Sequence, residues 1–112
     1  MEFKRLNSMT GKDPVLNRRI ASIFLSDFEG FLAIFSKLPE TKEFDNLKFL
    51  IHKNSPSFMI FELESLLSRY NLFLEKRMKG ETIELNDPGF QELLEDTKLK
   101  IEQVRAFIST IE

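Results

Sequence analysis

Residues 23–39 read IFLSDFEGFLAIFSKLP, and within them Phe24, Phe28, Phe31 and Phe35 follow one another at steps of four, three and four. Side chains at those steps share one face of an α-helix, whereas a strand would place its apolar residues at alternate positions. Upstream, Leu16, Ile20 and Ile23 continue the stripe; Leu32 and Leu38 broaden and extend it. Asp13-Pro14 marks its start: a carboxylate to cap the first turn, then a proline where a missing N–H costs nothing. Gly30 weakens the interior modestly, and Pro39 is expected to stop the helix.

The same pattern recurs three times downstream. A second helix is expected from about Thr41, whose hydroxyl can cap it, with Phe44, Leu47, Ile51, Phe58 and Phe61 as its buried stripe. A third is expected from around Glu62, carrying Leu63, Leu66, Leu67, Tyr70, Phe73 and Leu74. It should finish at Lys79-Gly80, a cation followed by the residue that best tolerates a left-handed C-cap. Glu81 to Asn86 reads as a polar connector. Asp87-Pro88 repeats the cap-plus-proline start, and Phe90, Leu93, Leu94, Thr97, Ile101, Val104, Ile108 and Ile111 line the last helix. Residues 1–12 read as a flexible N-terminal arm and residues 13–112 as one domain. The expected fold is all-α, an antiparallel four-helix bundle with a short N-terminal extension.

Composition narrows the function classes. A 112-residue chain that is 42% hydrophobic and 30% charged is globular and has room for one core. With no cysteine it has no disulfide or thiolate chemistry, which fits a reducing cytoplasm. Its 16 Lys and Arg against 18 Asp and Glu, a net charge of -2, lack the basic footprint of a nucleic-acid binder. No apolar run approaches the roughly 20 residues of a membrane span, and MEFKRLNSMTGKD does not read as a signal peptide. A soluble cytoplasmic protein is expected, with neither nucleic acid nor membrane as partner.

The chain's only histidine stands in FLIHKNSPSF, residues 49–58. On a helical wheel His52 falls on the order of 130° from the centre of the second helix's apolar stripe, so it should face solvent. Its neighbours on that face are Lys48, Phe49, Ser55, Pro56 and Met59. Pro56 has no N–H to donate to the carbonyl of His52. On residue chemistry alone this is an ordinary surface histidine. One histidine and no cysteine make a poor zinc set, and neither a nucleophile elbow nor a glycine-rich phosphate loop is present. No metal, no cofactor and no self-contained active site are expected.

Read as a block, residues 23 to 80 resemble the histidine-containing phosphotransfer domain, an α-helical bundle that accepts and donates a phosphoryl group on one exposed histidine. The matching residues are Phe24-Leu25-x-Asp27 in the first helix and Ile51-His52 in the second. Leu63 and Leu66 open the third, and Leu74-Glu75 with Gly80 close it. The family's usual lysine and glycine, three and four residues after the histidine, are Ser55 and Pro56 here. Its junction glycine, ten residues on, is Glu62.

The resemblance implies a phosphorelay intermediate in two-component signalling, a phosphoryl carrier rather than an enzyme. His52 would take a phosphoryl group from a receiver-domain phosphoaspartate and pass it to another receiver. Response-regulator receiver domains or a hybrid sensor kinase would be the partners, and Mg²⁺ is expected on the receiver, not on this chain. Lys48 and Lys53 would support the phosphate; Phe49, Ser55, Pro56 and Met59 would form the docking surface. A second reading is a helical interaction module that binds such partners without being phosphorylated. A third is a self-associating bundle whose interface uses the phenylalanines of the first helix.

Overall fold

The computed structural model describes residues 1–78, 84 and 87–111. Among them the chain is all-α: α1 (Lys4–Thr10), α2 (Pro14–Ser36), α3 (Leu38–Thr41), α4 (Phe44–Ile60), α5 (Glu64–Met78) and α6 (Pro88–Ser109). Both cap-plus-proline starts are as expected. The Asp13 carboxylate accepts from the Val15 and Leu16 amides at 2.9 and 3.2 Å, and Asp87 accepts from Gly89 and Phe90 at the same two distances. Such a cap contributes about 1 kcal/mol. Amide donors from Phe90 and Gly89, with the Arg77 guanidinium beside them, hold the Asp87 carboxyl below the usual carboxylate range.

The core is a column of aromatic rings. Phe58 packs in T-shaped contacts with Phe24, Phe28, Phe31 and Tyr70 at centroid distances of 5.6, 5.2, 6.0 and 6.0 Å. Phe24 stacks on Phe61 at 4.3 Å, while Phe31, farther along α2, reaches back to Phe58, so α2 and α4 run antiparallel. Tyr70 meets Thr97, and Arg77 meets Asp87, so α5 and α6 are antiparallel too. The molecule measures 46 × 21 × 19 Å, a rod along its helices.

Among the described residues six helices stand where four were expected. Pro39 cannot donate to the carbonyl of Phe35, so the α2 ladder stops at Ser36, and Pro39 instead takes the second position of the single-turn α3. Thr41 ends α3 rather than capping α4; Lys42 adopts a left-handed backbone (φ 56°) that turns the chain before Phe44. The third long helix begins at Glu64, two residues later than expected. The expected stop at Lys79-Gly80 lies outside the described residues, as does the connector, Glu84 apart.

Residues 1–12 are not a loose arm. Phe3 and Leu6 are buried, Phe3 stacked on Phe107 at 4.0 Å and edge-on to Phe61 at 6.1 Å. Arg5 donates to the Met59 carbonyl at 2.9 Å and pairs with Glu64. The Asn17 amide donates to the Asn7 side-chain carbonyl at 2.8 Å. A seven-residue helix is unstable alone. This one is held by an aromatic seat assembled from α4 and α6.

Two stability predictions arise here. Lys42 is exposed and left-handed, a state that costs an L-residue roughly 1 kcal/mol and a glycine almost nothing. Lys42→Gly should therefore raise the unfolding free energy by about 0.5–1 kcal/mol in urea titration, and Lys42→Ala, which keeps the strain, should not. The second concerns Tyr70, fully buried with its hydroxyl 2.5 Å from Thr97 Oγ1. The Thr97 hydroxyl itself donates to the Leu93 carbonyl, so the phenol is the donor. Burial pushes the Tyr70 phenol well above its ordinary value of 10.0. A folded state that holds its proton more tightly than the unfolded one keeps that stability below pH 10 and loses it as pH rises beyond. Melting temperature should fall above about pH 10, and Tyr70→Phe should flatten that fall.

Candidate functional site

Helix α4 is anchored by Leu47, Ile51, Asn54 and Phe58, which are buried along one stripe. The opposite face is open. His52, Lys48, Phe49, Lys53, Pro56 and Met59 are all exposed, and Ser55 is half-buried. Phe49 is 61% and Met59 51% exposed, so neither belongs to a widened core stripe. Large apolar side chains left in water so near one ring form a patch a partner could cover.

Helical spacing sorts the candidates. Lys48 and Pro56 stand four residues either side of His52, Phe49 and Ser55 three, and Met59 seven, so these five share its side of the helix. Lys53, the adjacent residue, turns about 100° away and lies off that line. Among the described residues no hydrogen bond or ion pair engages the His52 ring. The Ser55 hydroxyl donates to the Ile51 carbonyl at 2.8 Å, one turn back, so its proton is committed to the backbone. Pro56 lies inside the helix, and the carbonyl of His52 lacks its usual donor.

Glu62 adopts φ 57°, the left-handed backbone that glycine takes without strain, at the position where the resembled family carries glycine. The Glu62 carboxylate accepts the Lys4 amide at 3.2 Å. That contact ties α1 to the turn after the histidine helix.

Several contributors were invisible in the sequence. Asn54 lies on the buried stripe, three residues after Ile51 and four before Phe58; the spacing places it there, but its polar side chain leaves it out of an apolar pattern. Arg5, Met9, Met59, Ile60 and Glu64 line an open, mostly apolar depression of about 370 Å³ beside the exposed patch. It joins α1 to α4 across more than 50 residues of chain, and no local pattern marks such a pairing. Among the described residues no cluster of three or more His, Asp or Glu could hold a metal ion, and no helix is long and apolar enough to cross a membrane.

Chemically, the arrangement offers a nucleophile and little else. An unprotonated imidazole has one ring nitrogen whose lone pair is able to attack. Among the described residues no carboxylate is hydrogen-bonded to the ring. No family model matches the chain, and no curated protein or solved structure matches it.

Proposed function

We propose that this protein is a phosphoryl carrier of a two-component phosphorelay, acting through His52 in the cytoplasm. In this reading α2, α4, α5 and α6 make up the antiparallel four-helix bundle of a histidine-containing phosphotransfer domain, with α1 and α3 as additions. The observation that carries it is the chain's one histidine, exposed and unengaged on a buttressed helix, with exposed Phe49 and Met59 on its flank. The left-handed backbone of Glu62, ten residues on, adds support from the fold side.

The transfer is a displacement at phosphorus. The lone pair of the unprotonated ring nitrogen of His52 attacks, and the bond from phosphorus to the partner's aspartyl oxygen breaks. The partner keeps a carboxylate with that electron pair, and the second ring nitrogen then releases its proton to solvent, which leaves a neutral phosphorylated ring. The charge on the transferring oxygens is settled by the receiver's own Mg²⁺. On this side Lys48, one turn away, is better placed than Lys53 to approach the phosphate. Phe49, Pro56 and Met59 would dock the receiver, and half-buried Ser55 would allow close approach.

The test is phosphoryl transfer from a panel of phosphorylated receiver domains. Acid-labile, base-stable phosphate on the protein is the expected result. The interaction-module reading is favoured by one observation: the family's lysine position is Ser55, whose hydroxyl is occupied with Ile51. That reading predicts receiver binding without phosphate transfer, surviving His52→Gln and lost on Phe49→Ala with Met59→Ala.

A further inference from the structure

Helices α5 and α6 leave a groove between them on the outer surface of the rod. The Arg69–Asp96 ion pair, 2.7 Å long, crosses it and divides it into two depressions. One, of about 470 Å³, is walled by Phe61, Leu63, Leu66 and Leu99; the other, of about 500 Å³, by Leu72, Phe73 and Leu93. Leu72 and Leu99 stand at its lips, 55% and 54% exposed. This face has no part in the His52 site.

We propose that the α5–α6 face is the interface of a two-fold symmetric homodimer. The argument is self-complementarity of shape and charge. Let the two-fold axis pass through the Arg69–Asp96 pair, in the plane of the face and at right angles to the helices. Each position on α5 then meets the position equally far on the other side of Arg69 in the second copy, and likewise for α6 about Asp96.

At about 1.5 Å of rise per residue, Leu72 sits ~4.5 Å beyond Arg69 and faces Leu66 of the second copy, in the wall of the first depression. Leu99, the same distance beyond Asp96, faces Leu93 of the second copy, in the wall of the other. Each exposed leucine therefore finds a hollow. On the axis Arg69 and Asp96 each face their own copy, with the charge of each already balanced by the ion pair within its own chain, and the charges farther out follow the same operator. Glu92 and Lys100 stand four residues either side of Asp96, so each meets its opposite. Among the described residues Glu92 and Lys100 form no ion pair within their own chain. The pattern of opposite signs at equal distances, with apolar knobs between them, fits a second copy of this chain.

Sedimentation equilibrium of the full chain tests the interface. A concentration-dependent monomer–dimer equilibrium is expected. The double variant Leu72→Glu with Leu99→Glu changes only exposed side chains and should be monomeric, with helical content unchanged by circular dichroism. Glu92→Lys should weaken the dimer about tenfold, because each dimer loses two attractive pairs and gains two repulsions. Adding Lys100→Glu should restore it. A wild-type chain that stays monomeric to about 1 mM, where even weak specific contacts show, overturns the proposal. So does a dimer indifferent to the leucine substitutions, or a charge swap that fails to rescue.

Discussion

Replacing His52 by glutamine is expected to abolish phosphoryl acceptance completely, with no measurable loss of folding. Glutamine is close to histidine in size and polarity, but its amide nitrogen has its lone pair delocalised into the carbonyl and cannot attack phosphorus. His52 is exposed, and among the described residues nothing hydrogen-bonds to its ring, so the change should shift stability by no more than about 0.5 kcal/mol. The measurement is a pair of transfer reactions from the same phosphorylated receiver, read by phosphate lability, alongside thermal melts of both proteins. Acid lability is the diagnostic, because protonating the phosphorylated ring turns it into a good leaving group. Phosphate retained on the glutamine variant would move the chemistry to another residue.

Phe58→Ala should have the largest effect on stability of any single truncation in α4. The ring is 1% exposed and meets four others: Phe24, Phe28 and Phe31 from α2, and Tyr70 from α5. It is the contact at which three helices meet. Removing a buried phenylalanine ring costs about 3–5 kcal/mol, as lost burial plus the cavity left behind. Domains of this size are stable by only about 5–15 kcal/mol, so the variant should lose a large share of its stability and unfold at much lower urea. Phe49→Ala supplies the contrast. Nine residues earlier on the same helix, but 61% exposed, it should change stability by less than about 0.5 kcal/mol. Equal losses from the two would mean that α4 does not present the faces described.

The long helices were legible because each carries its signals within a few residues. The Phe24 to Phe35 stripe, the Asp-Pro starts and the regular spacing from Phe90 to Val104 are local, and local rules read them. His52 as a solvent-facing residue was legible for the same reason. What escaped depends on partners distant in sequence. Phe3 and Leu6 look like stray apolar residues in a charged segment until Phe61 and Phe107 are placed beneath them. Met9 beside Met59 is equally unpatterned. Thr41 shows a different failure: a hydroxyl able to cap one helix sits instead at the end of another. The turn was set by the left-handed backbone of Lys42, which a lysine gives no cause to expect. The phosphoryl chemistry itself came from resemblance, since an exposed imidazole on a helix has no spacing rule of its own.

The aromatic column has an optical meaning. With one tyrosine, no tryptophan and 12 phenylalanines, the chain has a single dominant near-ultraviolet chromophore, and it stands at the middle of the packed rings. Phe31, Phe35 and Phe58 lie 4.7, 5.5 and 6.0 Å from the Tyr70 ring, close enough for light absorbed by phenylalanine to be emitted as tyrosine fluorescence. That transfer fades when the rings separate. Thermal or denaturant melts can thus be followed in the native protein, with no dye and no engineered tryptophan, by a reporter seated where the helices join.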